Sequence, residues 1–245
     1  MTIKRRALIL GVSGQDGSYL ARHLLEQGYE VYGARRNGLP PTLCNHLYLG
    51  ISERVKLITL DINMLADYMR IVKEIMPDEI YNLTSQSSVS KSLNEPFHTL
   101  YDNYGSTLNL LEAVRLLNCN SRIYNAVSSE MYGEQKQLPV DENSILNPQS
   151  PYAVSKASSF MLVREYRSTY GLYCCNGIMF NHESYLRPIH YVTKKIINTA
   201  VRISRGDKCA LSLGNIGIKR DWGYAPEYVK AMPLMLRCAD PDDYV

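Results

Sequence analysis

A tyrosine and a lysine four residues apart, in Tyr152-Ala153-Val154-Ser155-Lys156, form a pair well suited to moving a proton. Positions i and i+4 share one face of a helix, so the Lys156 ammonium is expected near the Tyr152 phenol, lowering its pKa. Such a tyrosine can take a proton from a hydroxyl while a nicotinamide ring accepts the hydride from the same carbon. Ser128, closing the apolar run Arg122–Val127, is placed to hold that hydroxyl. Glu130 stands two residues further on. If the strand end stays extended, both side chains point to one side, and the carboxylate can remove a carbon-bound proton. That step distinguishes elimination from simple reduction or epimerisation.

A second constellation suits a phosphate. Gly11-Val12-Ser13-Gly14-Gln15-Asp16-Gly17 is G-x-x-G-x-x-G, set between an apolar run and a helical pattern. Glycines there allow a tight turn and let a pyrophosphate approach the backbone N–H groups at a helix N-terminus. An NAD site usually carries an acidic residue near the end of the second strand. Here Ala34-Arg35-Arg36 follows instead, and two guanidiniums suit a 2′-phosphate, so the expected cofactor is NADP. Asp61, closing the third strand with Ile62 after it, is placed to contact the adenine or to cap the next helix.

These residues need elements to position them. Short apolar runs alternate with helical patterns: strands are expected at Ala7–Gly11, Glu30–Gly33, Val55–Leu60, Glu79–Leu83, Arg122–Val127 and Leu172–Phe180. Helices are expected at Tyr19–Gln27, Met64–Ile75, Thr99–Asn118 and Tyr152–Tyr170. That order predicts an α/β protein, a Rossmann-like doubly wound parallel sheet. Leu83 and Ser85, with Gln86 and Ser87, follow the fourth strand and should line the cleft. After Phe180 the pattern changes: a loop over Asn181–Ile189, a helix at Val192–Ser204, a short strand at Cys209–Leu213 and a helix at Pro226–Leu236. Pro233 should kink or end that last helix.

Composition sets the outer limits. With 245 residues, 45% hydrophobic and 21% charged, the chain is globular rather than disordered or collagen-like. A net charge of +3 does not argue for nucleic acid. The six cysteines show no metal or C-x-x-C spacing and read as reduced thiols, with Cys174 and Cys175 buried rather than a redox pair. Lys4-Arg5-Arg6 before Ala7–Leu10 mimics a signal peptide, but Gly11 and Asp16 interrupt the apolar stretch. No run approaches a membrane span, so a cytoplasmic protein without membrane or metal is expected.

The glycine turn, Asn103 opening a long helix, Ser128, and the Tyr152/Lys156 pair together resemble an extended short-chain dehydrogenase/reductase acting on nucleotide sugars. Gly11–Leu20, Ile80–Leu83, Ser128–Gly133, Phe180–Ser184 and Lys219–Gly223 are similar to segments of the GDP-mannose 4,6-dehydratase family. The resemblance implies a GDP-hexose substrate, GDP-mannose or a relative, and an internal redox cycle. Hydride leaves C4, Tyr152 takes the hydroxyl proton, Glu130 takes the C5 proton as water leaves C6, and hydride returns to C6. It implies substrate contacts from Ser87, Asn181, Lys195 and Arg220 besides Ser128 and Glu130. It also implies cofactor contacts from Gly11, Gly14, Gln15, Asp16, Gly17, Arg35, Arg36, Asp61, Ile62, Leu83, Ser85, Tyr152 and Lys156.

The family continues beyond the point where this chain stops, so an NADP-binding domain is expected at 1–180 and a partial substrate region at 181–245. Where the family carries a Ser-rich, Arg-containing stretch that helps tetramers form, this chain reads Asn37-Gly38-Leu39-Pro40-Pro41-Thr42. A homo-oligomer is therefore expected, with a dimer favoured. Tyr185-Leu186-Arg187-Pro188 stands where the family has Pro-Arg-Arg-Gly, so another GDP-hexose or heptose also fits. A nucleotide-sugar reductase or epimerase, or a dinucleotide-binding module without catalysis, are the alternatives.

Overall fold

Alternate residues of the first strand, β1 (Arg6–Leu10), belong to different cores. Ala7 and Ile9 pack on one side of the sheet, Leu8 and Leu10 on the other, as the period of two requires. A strand apolar on both faces must be covered on both, which is why the short runs in the sequence read as continuous rather than alternating. The structure is a computed structural model and describes residues 4–36, 38 and 44–245. Of the stretch expected to bear on tetramer formation, only Gly38 lies among them.

The remaining strands are β2 (Glu30–Arg35), β3 (Lys56–Thr59), β4 (Glu79–Asn82), β5 (Arg122–Ser128), β6 (Cys174–Met179), β7 (Asn181–Glu183), β8 (Trp222–Tyr224) and β9 (Asp243–Tyr244). Seven form one sheet in the order β3-β2-β1-β4-β5-β6-β9, parallel throughout. The chain leaves β1 toward β2 and returns on the other side to β4, which puts the topological switch point between β1 and β4. Strands β7 and β8 pair separately, also in parallel.

The helices are α1 (Gln15–Glu26), α2 (Cys44–Tyr48), α3 (Leu65–Ile75), α4 (Val89–Asn94), α5 (Pro96–Leu116), α6 (Pro151–Tyr170), α7 (Val192–Ser204) and α8 (Ala225–Met235). Leu20 and Leu24 of α1 join Val229 and Met232 of α8 over one face. Tyr68 and Ile71 of α3, Leu110 and Val114 of α5, and Val163 of α6 cover the other. Helix α6 starts where Ser150 caps the Ala153 N–H (3.1 Å) with Pro151 in the first turn, and stops at Gly171 in the left-handed region. The vicinal cysteines fall to opposite sides, Cys174 in one core and Cys175 in the other. Burial pushes both thiols up, Cys174 to about 12, as inert structural thiols require.

Several expectations are corrected here. Helix α1 begins at Gln15, directly on the glycine turn, and β2 runs on through Arg35. No strand forms over Cys209–Leu213, where the backbone is irregular, while Asn181–Glu183, expected as a loop, is a strand. Pro233 lies buried inside α8, and the helix continues to Met235. Asn103 sits well inside α5 rather than at its start. Residues 225–244 pack against the main body, α8 through the α1 face and β9 through the edge of β6.

A polar chain crosses the core at one register level. The Asn82 amide donates to Asn125 Oδ1, Asn125 to Asn176 Oδ1, and Asn176 to Asp243 Oδ1, each at 2.9 Å, across β4, β5, β6 and β9. Arg167 closes it with a 2.6 Å ion pair to Asp243.

Candidate active site

The turn after β1 is shaped by its glycines. Gly11 has φ +83, and a Cβ there would meet the Leu83 carbonyl oxygen at 2.9 Å; a Cβ on Gly17 would stand 2.4 Å from the Gly11 oxygen. Both are demanded by close backbone approach. Gly14 differs: its nearest internal neighbour would be the Gly11 oxygen, at 3.4 Å. Its bareness serves the open side of the turn, where the first-turn N–H groups of α1 face outward without a capping side chain. That is a cradle for a pyrophosphate. From behind, α2 braces the turn through Asn45 to the Ser13 carbonyl (3.0 Å) and His46 to the Val12 carbonyl (3.1 Å).

A cavity of about 440 Å³ opens from this cradle at the switch point. Gly11, Gly14, Gln15, Asp16, Gly17, Leu83, Ser85 and Ser87 line one part; Ser128, Glu130, Tyr152, Lys156 and Asn181 line the rest. Residues as distant in sequence as Gly11 and Asn181 are gathered because β1, β4, β5 and β6 all end at the same edge. Ser85 Oγ is buried with no hydrogen-bond partner among the described residues, an acceptor or donor left for a ligand. Gln86 turns away, its amide spent on the Ser88 carbonyl and Thr99, so the cleft wall is Ser85 and Ser87 without it. A second cavity, about 1370 Å³, shares Glu130 and Asn181 with the first and adds Lys219, Arg220 and Asp221. Glu130 thus stands where the two spaces meet.

Helix α6 carries Tyr152 and Lys156 as expected, but their electrostatics differ. Burial dominates at Tyr152 and pushes its hydroxyl up to about 12, against the Ser128 hydrogen bond, which pulls it down. Lys156 sits 6.0 Å from the centre of the Tyr152 ring and donates to the Ala126 carbonyl at 2.8 Å. Its own pKa falls to about 8 because the ammonium is buried. The expected lowering of Tyr152 by Lys156 is therefore not what this site shows by itself: burial outweighs it. Glu130 lies not on an extended strand end but in the 3₁₀ turn Ser129–Tyr132, its N–H accepted by Ser128 Oγ at 3.3 Å. The turn still brings both side chains to the cleft.

The other expected ligands distribute unevenly. Arg220 approaches Glu130, at 4.0 Å. Lys195 lies on α7 and lines neither cavity. Arg36, Asp61 and Ile62 share a smaller cavity of about 270 Å³ with Asp67 and Asp102, and Arg36 is paired with Asp102 at 3.1 Å. Arg35 closes β2 opposite Thr59. Asp61 does not cap α3; it accepts from the Asn63 N–H at 3.0 Å.

Among the lining residues given no site role from sequence are His182, Arg187, His190 and Tyr191. Tyr191 reaches Ser87 Oγ at 2.6 Å, and Arg187 lies 3.6 Å from the centre of the Tyr191 ring. Their signal was present for His182, inside the motif Phe180–Ser184, and absent for a tyrosine in unpatterned sequence.

Residues 8–245 match the model of a family described as GDP-mannose 4,6 dehydratase. The chain belongs to that family. A GDP-mannose 4,6-dehydratase of Yersinia enterocolitica is 42% identical over 248 residues, covering 98% of this chain and 67% of that protein. Among solved structures, the dTDP-glucose 4,6-dehydratase of Streptomyces venezuelae with NAD bound has a TM-score of 0.84 at 23% identity, covering 98% of this chain and 74% of that one. The UDP-glucose 4-epimerase of Thermotoga maritima with UDP-glucose also reaches 0.84 at 23%, covering 97% and 75%. Equal likeness to a dehydratase and an epimerase shows the fold and leaves the reaction to the site. Among the described residues no helix is long and apolar enough to cross a membrane, and no metal-binding cluster occurs.

Proposed function

We propose that this member of the GDP-mannose 4,6-dehydratase family converts GDP-mannose to GDP-4-keto-6-deoxymannose, with Ser128, Glu130, Tyr152 and Lys156 as its catalytic residues. The observation that carries this reading is Glu130 at the junction of the two cavities, beside the Ser128–Tyr152 pair. A 4-epimerase or simple reductase needs no further base beside the tyrosine, whereas removal of the C5 proton in an elimination does.

The cradle, the orphaned Ser85 hydroxyl and the Tyr152/Lys156 pair fit a nicotinamide dinucleotide, which supplies a hydride acceptor and later donor when bound. The chain's own residues do the rest. Ser128 and Tyr152 hold the C4 hydroxyl between them, and Tyr152 takes its proton as the C4 ketone forms. The ketone acidifies C5–H. Glu130 removes that proton, and its carboxylic acid form protonates the departing C6 hydroxyl, so the sugar loses one water and the side chain returns to carboxylate. With the hydride returned to C6, Tyr152 gives up its proton to solvent and Glu130 relays one from solvent to C5, which completes 4-keto-6-deoxymannose. Burial pushes the Tyr152 hydroxyl up to about 12, and Lys156, joined by the positive charge of a bound oxidised ring, favours the ionised phenol.

The finer assignments follow. NADP is preferred over NAD, with Arg36 exchanging Asp102 for a 2′-phosphate; Arg220, with Asn181, meets the diphosphate, leaving Glu130 free for chemistry. Lys195 would need α7 to move and is the weakest of the substrate contacts. The chain is cytoplasmic and forms a homo-oligomer, supported by exposed Phe97, Tyr101, Val154 and Met161 on α5 and α6.

The test is incubation with NADP⁺ and GDP-mannose, followed by mass spectrometry of the sugar nucleotide. Loss of one water without accumulated NADPH is expected. Product of unchanged mass, or stoichiometric NADPH, would replace this reading with epimerisation or net oxidation. Glu130→Gln should bind both ligands and form no dehydrated sugar.

A further inference from the structure

The two residues between the second and third glycines do not aim at the cleft alone. Gln15 is buried at the start of α1; its amide donates to the His182 carbonyl (3.2 Å), and its carbonyl accepts from Ser184 Oγ (2.8 Å). Asp16 Oδ2 meets His182 Nε2 at 2.9 Å, while His182 Nδ1 faces the Phe180 carbonyl at 2.7 Å. Both ring nitrogens face acceptors, and against its burial the ring's pKa is raised by the Asp16 carboxylate, which favours an imidazolium donating twice. The Tyr228 ring stacks on it at 4.6 Å. The Gln15 and Asp16 contacts join the first turn of α1 to His182 and Ser184, and Asn181 lies between Phe180 and the His182 ring that is bonded back to the Phe180 carbonyl.

From this geometry, and resting on the function proposed above, we propose that Gln15, Asp16, His182 and Ser184 form a positioning cluster. It fixes β7, and with it Asn181, to the helix mouth that receives the dinucleotide, so filling one cavity tightens the other. The physical reason is economy of order. A pyrophosphate seated on the first turn of α1 immobilises Gln15 and Asp16, and the strand hydrogen-bonded to them is ordered at the same time. The sugar nucleotide then meets a preformed Asn181 rather than ordering it on arrival.

The coupling is measurable as the ratio of GDP dissociation constants without and with saturating NADP⁺, by calorimetry on the intact chain. In the wild type GDP should bind about tenfold more tightly with NADP⁺ present, a usual size for coupled sites, and the reciprocal effect on NADP⁺ must equal it. Ser184 lines neither cavity, so Ser184→Ala tests the cluster without touching a ligand. It should reduce the ratio below about threefold and raise the KM for GDP-mannose with kcat little changed, while Ser184→Thr restores both. If the alanine variant fails to fold, Asp16→Asn reads the same ratio. An unchanged ratio in the variants, or no tightening in the wild type, overturns the cluster's role. So does an equal loss of Tm and of both affinities that threonine does not restore, which marks simple loosening. Absence of GDP binding by wild type that still binds NADP⁺ would instead remove the functional reading on which the proposal stands.

Discussion

Lys156 is buried, donates to the Ala126 carbonyl and titrates near 8, against about 10.4 in an unfolded chain. Between those values the unfolded chain holds a proton that the folded one has released, so this group makes stability rise with pH across that window. Lys156→Met should flatten the rise of Tm from pH 8 to 10.5 relative to wild type, removing on the order of 2–3 kcal/mol of pH-dependent stability. Parallel Tm curves for the two proteins would show that Lys156 is not depressed. At the same scale, Tyr152→Phe should lose the hydride step, read as no transient NADPH absorbance in a single turnover and no dehydrated sugar by mass spectrometry. That these residues share one cleft was legible because their spacing is local: Tyr152 and Lys156 share one helix turn, and Glu130 stands in the turn directly after Ser128. The Asp16–His182 pair was not. The two stand 166 positions apart, and no local pattern in sequence links a helix N-terminus to a strand that far downstream.

At the level of elements, the glycine turn makes two opposed predictions. Gly17→Ala would place Cβ 2.4 Å and 2.7 Å from backbone atoms of Gly11 and Val12. Backbone cannot yield as a side chain does, so Tm should fall by several degrees, equivalent to about 1–3 kcal/mol. Gly14→Ala meets almost nothing of its own chain, so Tm should hold while NADP⁺ affinity drops at least tenfold, read by calorimetry. A large Tm loss in Gly14→Ala would mean that this glycine serves the turn and not a ligand. Long elements were read well from sequence because a period of 3.6 or a continuous apolar run needs length to show. Helices α2 and α4 and strands β7, β8 and β9 are two to six residues long, below what periodicity can reveal. Helix α7 was read correctly from its apolar spacing, yet none of its residues is buried. Periodicity reports an apolar face and is silent about what covers it.

For the whole molecule, the order of strands followed from the alternation of helices and strands, but the way the far end returns did not. Ala239–Asp243 is polar, and nothing in it announces a strand. Its last residue opens β9 because Asp243 completes the amide chain from Asn82 and pairs with Arg167 in a buried setting. Asp243→Asn keeps the shape but removes the charge opposite Arg167, and should cost about 3 kcal/mol or more in denaturant unfolding. A loss under about 1 kcal/mol would show that the amide chain alone holds β9 in place.

The two residues of β9 also decide how the molecules behave toward each other. β6 is an apolar strand, Cys174–Met179, and β9 is what lies along its outer side at Asn176 and Gly177. With β9 undocked, that side offers unpaired backbone groups on a hydrophobic strand, the template on which chains aggregate edge to edge. Weakening Asp243 should therefore appear first as turbidity that grows with protein concentration, at temperatures where the isolated molecule is still folded.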